Sequence, residues 1–423
     1  MKSLYTPTTK QIYFWNLAGS ILNAMLSVVL LLFVSILLND READIFSLAW
    51  SFGMQAMTVG TFQARLYQAT DIEEKYSFNQ YLFFRAVSVL AMFVYSAIYV
   101  WLSGFSFYKA LIILLVCIAK SADAFSDLFQ GWFQQKERLD LAGKAFSAHS
   151  LALLIVFAIT VLFSKNLLIA CIFMILGNYI TFFLFDYRYY LLAKQKFNTH
   201  TNNPSKAFLI KLAGACFPLF INAYFIMDIF NQPRFSIDSA IGTGFLADGS
   251  QKIYNILFLP ASVLNLIFFI FRPLITKLAL CWTDNNKKDF LKIIRTISLG
   301  LLIMSIVVFL GGWFLGCPIL SFVYNVPLGE YKSVLMLLIL GGVFNAFMYL
   351  FDNAITVMRK HRYLIIAYAI TWLYTVLTVD SFVNKFGLLG ASLCFATSML
   401  LILLCTVIIF LMFIKAKKEK AIR

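Results

Sequence analysis

Charge is what this sequence has least of. Asp, Glu, Lys and Arg together make up 13% of its 423 residues, against about 25% in an ordinary soluble chain. Hydrophobic residues make up 61%, against roughly 45–50%. A water-soluble globule is excluded, and with it any count of domains from length. Paired cysteines and histidine clusters are missing as well. The seven cysteines (117, 171, 216, 281, 317, 394 and 405) include no C-x-x-C pair, and most lie in apolar runs, where cysteine acts as a small hydrophobe. The three histidines, at 149, 200 and 361, lie near the ends of such runs on the predicted cytoplasmic side. With no ligand spacing among them, neither a metal site nor Cys/His catalysis is expected. No G-x-x-x-x-G-K loop occurs, so nucleotide hydrolysis by the chain itself is not expected. Long polar loops are absent too.

What is present is a series of apolar runs. A spanning helix needs about 20 mostly apolar residues. Charge-free stretches cover 11–39, 45–64, 86–108, 145–164, 166–185, 212–227, 253–271, 296–329, 333–351, 363–379 and 386–414. A twelfth span, about 109–134, carries Lys120, Asp123 and Asp127. The first run is too long for the core of a cleavable signal and reads as a true first span. With the N-terminus in the cytoplasm, 27 Lys and Arg fall on the cytoplasmic side and 7 on the other, with Lys120 between. That asymmetry predicts that both termini are cytoplasmic. The net charge of +15 then reflects orientation and contact with anionic lipid heads. It gives no reason to expect a nucleic-acid partner.

Charges inside a span are costly, at about 2.5–3.5 kcal/mol each at the helix centre, so they should avoid lipid. At 100° per residue, Lys120, Asp123, Asp127, Gln130 and Gln134 fit a sector of about 80°, and Phe125, Leu128, Phe129, Trp132 and Phe133 lie opposite. Two structures fit this stripe. One is an internal clamp, since Lys120 and Asp123 are three apart. The other is a water-filled cavity, favoured because two carboxylates for one lysine leave a charge uncompensated. A second stripe in the tenth span, Asn345, Tyr349, Asp352, Thr356 and Arg359, occupies a similar arc. The fourth and tenth spans hold corresponding places in two sets of six, and both contain Ala-Phe-x-x-Leu-Phe, at 124–129 and 346–351. The expected architecture is therefore an all-α polytopic membrane protein. Its twelve transmembrane helices would form two pseudo-symmetric six-helix bundles, 1–200 and 201–423, around a central cavity. A binding site between parallel repeats would follow. Elsewhere, Tyr224, Asp228 and Asn231 share a face, with Asp228 near enough to the outer end of its span to be solvated. Gln55 and Gln63 read as contacts between helices.

Such a cavity suits a secondary transporter, and Lys120 with Arg65 and Arg359 near its inner mouth suits an anion. The carboxylates suit coupling by H⁺ or Na⁺ or hydrogen bonds to sugar hydroxyls, and the residues leave both uses open. No other cofactor is expected.

Three stretches carry a family resemblance. They are Gln63-Ala-Arg65-Leu-Tyr67-Gln68-Ala-Thr-Asp71 with Lys75-Tyr76-Ser-Phe78; Asp123 to Gly131 with Gln134 to Gly143; and Asn231-Gln-Pro233-Arg234-Phe-Ser-Ile237 with Gln251-Lys-Ile-Tyr254. They resemble, in order and topological place, the segments after span 2, at the end of span 4 and between spans 7 and 8 of Wzx-type flippases. These are the polysaccharide branch of the multidrug/oligosaccharidyl-lipid/polysaccharide exporter superfamily. The resemblance implies a protein of the bacterial plasma membrane. Its cargo would be oligosaccharide repeat units on undecaprenyl pyrophosphate, for capsule, O-antigen or exopolysaccharide. It would act by alternating access, beside membrane lipids and other polysaccharide-assembly proteins. On this reading Arg65 captures the pyrophosphate from inside, Lys120 holds it at mid-depth and Arg234 lies near the outer exit. Gln130, Gln134 and Arg359 join them, and Asp123, Asp127, Asp228 and Asp352 serve coupling or sugar contact. The alternatives are a drug/cation antiporter of the same superfamily, favoured by acids and aromatics, and a membrane-embedded polysaccharide polymerase or glycosyltransferase. The latter needs a sizeable outward loop, and the longest linker expected is about 231–252. A passive scaffold or channel does not explain matched stripes.

Overall fold

The computed structural model of the chain describes residues 7–71, 74–195, 197, 206–284 and 286–420. Their regular structure is helical. The first set of helices is α1 (Thr9–Leu37), α2 (Asp40–Thr61), the short α3 (Ala64–Thr70), α4 (Phe78–Leu102), α5 (Phe107–Gln135), α6 (Leu139–Ser164) and α7 (Leu167–Thr181). A π-helical turn, Phe182–Tyr187, carries α7 into α8 (Arg188–Lys194). The second set is α9 (Lys206–Gly242), α10 (Ser250–Thr283), α11 (Lys287–Gly311), α12 (Cys317–Tyr324) after a second π turn, α13 (Lys332–Val357) and α14 (Leu364–Lys420).

Small polar residues between the apolar runs start these helices. Ser77 and Gln80 form a capping box at α4, and Asn39, Asn166 and Asn286 cap α2, α7 and α11 through their side-chain oxygens. Each satisfies a backbone donor that the helix leaves open. α14 is too long for one crossing, since 57 residues would extend about 85 Å at 1.5 Å per residue. It reverses at Gly387, whose φ of 57° and ψ of −134° suit glycine. Thr375 and Ser398 (2.7 Å) and Tyr374 and Thr397 (3.0 Å) hydrogen-bond between the two antiparallel arms.

Among the described residues, eight helices are long and apolar enough to cross a membrane, α14 counted once. The long helices α2, α5 and α10 lie outside that set; charges at its start and scattered polar residues dilute α2, and the polar stripe dilutes α5. With both arms of α14, the helices make the twelve passes expected of an all-α polytopic membrane protein.

The chain parts into two compact units, Met1–Met227 and Asp228–Arg423. The predicted boundary, 200/201, lies outside the described residues. The contact boundary falls inside α9, because Phe208, Leu212 and Cys216 join the core of the first unit. That core is aromatic: Phe78 stacks on Tyr190 at 4.4 Å, and Trp132 meets Tyr190 edge-on at 4.9 Å. In the second unit α13 packs on both α10 and α14. A Cβ at Gly342 would come within 2.8 Å of the Ala261 carbonyl oxygen, so only glycine permits this approach.

The expected linker at 231–252 is shorter than predicted. α9 runs on to Gly242 and α10 begins at Ser250, which leaves residues 243–249. The polar residues that looked like loop, among them Asn231, Arg234, Ser236 and Asp238, are buried on the helix, where neighbouring side chains replace water as their partners.

Gly342→Val is expected to lower stability by about 1–3 kcal/mol through overpacking. Gly214→Ala, whose Cβ meets nothing within 4 Å, is expected to leave it unchanged or slightly raised. Thermal unfolding of the detergent-solubilised chain measures both.

Candidate functional site

The polar stripe of α5 is met by a cation from a short helix. α2 ends at Phe62 and Gln63, both left-handed (φ 45° and 54°), an uncommon pair for non-glycine residues. The turn lays α3 across α5 at Gly131, where a Cβ would come 2.5 Å from Gln68 Oε1 and 3.1 Å from Arg65 Cγ. Phe62 is held in stacking contact with Phe220 at 4.2 Å. Arg65 therefore reaches over the stripe. It donates to Gln130 (3.0 Å) and Asp127 (3.3 Å), and at 3.5 Å it approaches Gln134. The second oxygen of Asp127 accepts from Arg85 at 3.0 Å. Arg85 is fully buried and also donates to the Gly60 carbonyl at 2.9 Å.

One turn deeper, Lys120 donates to Asp123 at 2.9 Å and sits 3.9 Å from the centre of the Trp50 ring. The other Asp123 oxygen lies 2.8 Å from His149 Nε2, close enough for an ion pair but poorly aligned for a hydrogen bond. Gln130 donates to Ser126, and Ser126 donates to Asp186 at 2.9 Å. Arg65, Lys120, Asp123, Asp127, Gln130 and His149 line a cavity of about 160 Å³ between α1, α2, α3, α5 and α6. At about 30 Å³ per water, it holds one small polar group or a few waters.

The motifs that carry the family resemblance are the frame of this site. The Asp71 carboxylate accepts from the backbone of Lys75 and Tyr76 and from the Tyr81 hydroxyl, and Gln135 donates to the Asp71 carbonyl. Lys136 pairs with Glu74, and Arg138 with Asp140. The loop after α3 is thereby fastened to the end of α5. The third motif makes a separate cluster in the second unit. There Arg234 donates to Asn255 at 2.6 Å and lies 4.4 Å from the Phe258 ring. It is buried, with no carboxylate partner among the described residues. Gln251 and Tyr254, one helical turn apart beside it, are buried without a hydrogen-bond partner for the amide or the hydroxyl.

Several expectations change. The stripe of α5 is both clamp and cavity wall, and its cavity is lined by the first unit alone. The supposed surplus of carboxylate does not exist, because Arg65 and Arg85 share Asp127 while Lys120 and His149 flank Asp123. Arg85 is one of the 27 basic residues expected on the cytoplasmic side and His149 is expected near a helix end; both are buried among the helices. The capping box at Ser77 signals that Arg85 lies two turns inside a helix. Asp186 had no such signal, since it directly follows an apolar run. Asp228 is not solvated: it is buried and accepts from Trp372 at 2.6 Å and Gln232 at 2.8 Å. The second stripe is looser than the first. Asp352 is half-buried, with no ion pair among the described residues, and Arg359 is exposed beyond the end of α13.

Comparison with known proteins follows the same lines. The lipid II flippase MurJ, in an inward closed conformation, superposes with a TM-score of 0.70 at 14% identity, over 94% of this chain and 87% of that one. An inward-facing MATE family multidrug resistance transporter of the MOP superfamily gives 0.63 at 15% identity, over 98% and 97%. The chain has the fold of these two proteins. These two solved structures are a flippase and a transporter, not enzymes. In sequence, the capsular polysaccharide biosynthesis protein CapF of Staphylococcus aureus is 26% identical over 324 residues, 76% of this chain and 79% of that one. That relative agrees with the likeness to polysaccharide flippases read from residues 63–78, 123–143 and 231–254. No family model matches the chain.

The two arginines on Asp127 should differ in what they do. Arg85→Gln, which takes a fully buried guanidinium away from the partly exposed Asp127 and from the Gly60 carbonyl, is expected to cost about 1.5–3 kcal/mol. Arg65→Gln, at a side chain 30% exposed, is expected to cost under about 1 kcal/mol. Unfolding midpoints in detergent separate them.

Proposed function

We propose that this chain is a flippase for lipid-linked oligosaccharides in a bacterial plasma membrane. Its termini are cytoplasmic, and it carries repeat units on polyprenyl pyrophosphate from the inner to the outer leaflet. The observation that carries the reading is the state of Arg65. Among the described residues its one carboxylate partner, Asp127, is already neutralised by the buried Arg85, and its remaining partners are neutral amides. A phosphate oxygen can replace those amides without leaving the half-buried Asp127 unpaired, because Arg85 stays on it. The guanidinium then meets phosphate through two parallel N–H donors. The fold shared with MurJ and the similarity to CapF support the same cargo class.

The other residues take distinct parts. Lys120, enclosed by Trp50 and Asp123, supplies fixed positive charge at mid-helix. Gln130 and Gln134 steer Arg65. Arg234, with no carboxylate partner in its buried setting, is the phosphate contact of the second unit, and Arg359 adds charge at a helix end. Asp123, Asp228 and Asp352 serve ion coupling or sugar contact, with H⁺ or Na⁺ as the ion. Membrane lipids and other polysaccharide-assembly proteins are its surroundings. A drug/cation antiporter is disfavoured because Asp123 and Asp127 are both engaged by internal cations and offer an organic cation little. A polymerase is disfavoured by the short 243–249 connection.

Cells that lack this chain and carry Arg65→Gln are expected to display at least about tenfold less surface glycan than with the unaltered chain, and to accumulate lipid-linked intermediate. Arg65→Lys is expected to restore part of it, since lysine binds phosphate only as a point charge. Full export by a correctly folded Arg65→Gln chain would remove Arg65 from the mechanism.

A further inference from the structure

A second cavity lies away from the polar stripe, between the last turns of α10 and the first turns of α11. It is an open groove of about 410 Å³, lined by Leu274, Lys277, Leu280 and Cys281 on one wall and Asp289, Lys292, Ile293 and Thr296 on the other. We propose that it binds the phosphate headgroup of an anionic phospholipid.

Depth is the first argument. Lys277 lies six residues before the end of α10 and Lys292 five after the start of α11. At 1.5 Å per residue, the Cα atoms of both lysines lie about 7–9 Å along their helices from the connection. Leu274, Ile293 and Thr296 lie beyond them, deeper in the hairpin. The two lysines thus flank the cleft partway along, and its inner end, at Leu274 and Ile293, is apolar, as the acyl chains below a phosphate require. Lysine stems suit that boundary because they lie along apolar surface while the charge reaches outward.

Charge is the second argument. Lys277 and Lys292 are exposed, and their ammonium groups have no hydrogen bond or ion pair among the described residues. Asp289 is the acid of the groove, and its carboxylate accepts from Asn286 at 2.7 Å within the α11 cap. Lys287 points elsewhere, to the Ile414 carbonyl at 3.0 Å. Two unpaired ammonium groups on facing walls match one phosphodiester. The apolar walls, with Leu280 58% exposed beside them, favour a lipid over a soluble anion. Trp282 against Phe290, at 5.0 Å, ties the two walls together at the connection.

The test uses the full chain in neutral detergent, offered equal amounts of phosphatidylglycerol and phosphatidylcholine with the same acyl chains. Bound lipid is counted by native mass spectrometry. Phosphatidylglycerol is expected to be retained about tenfold or more over phosphatidylcholine, given two lysines at the headgroup level. Lys277→Gln with Lys292→Gln should abolish the preference, and Lys277→Arg with Lys292→Arg should keep it. Lys288→Gln with Arg295→Gln, on the same hairpin outside the groove, should also keep it. The proposal fails if the first pair retains the preference, or if the second glutamine pair loses it equally, which would mean general basicity. It also fails if both lipids bind alike, or if inorganic pyrophosphate displaces phosphatidylglycerol, which would make this a soluble-anion site.

Discussion

The first unit depends on one carboxylate shared between two guanidiniums. Asp127 accepts from Arg85 on one oxygen and Arg65 on the other. Arg85 is sealed among α2, α4 and α5, and without Asp127 its charge would stand uncompensated away from water, at a cost of several kcal/mol. Arg65 approaches from the opposite side and retains access to the cavity. The pairing joins helices, and its asymmetry leaves one cation rigid and the other exchangeable.

The surrounding construction follows from that requirement. Arg65 reaches Asp127 because two left-handed residues turn α2 into α3, and because Gly131 lets α3 rest on α5. The loop after α3 is fastened by Asp71, Glu74 and Gln135, so the entry angle of Arg65 is set from both ends. The residues that resemble polysaccharide flippases are largely these supports. A motif can mark a family through the frame that positions a charge as well as through the charge itself.

The two units use charge differently. In the first, Arg65, Arg85, Lys120 and Arg138 each have a carboxylate within reach. In the second, Arg234 is buried against aromatic rings and amides. Cation–π contacts and neutral acceptors soften the cost of that burial without cancelling the positive potential.

By itself, the sequence determined the membrane assignment, the twelve passes and the polar face of α5. Apolar run length and helical period are local properties that survive any arrangement of neighbours. It also placed Lys120 beside Asp123, a contact within one helix. Which charges meet across helices was decided only by the tertiary structure. Arg85 sits 42 residues from Asp127 in the chain, and His149 and Asp186 reach the stripe from other helices. Periodicity orients a side chain about its own axis and says nothing of what stands opposite, so the partners of an intramembrane charge emerge only when the helices pack.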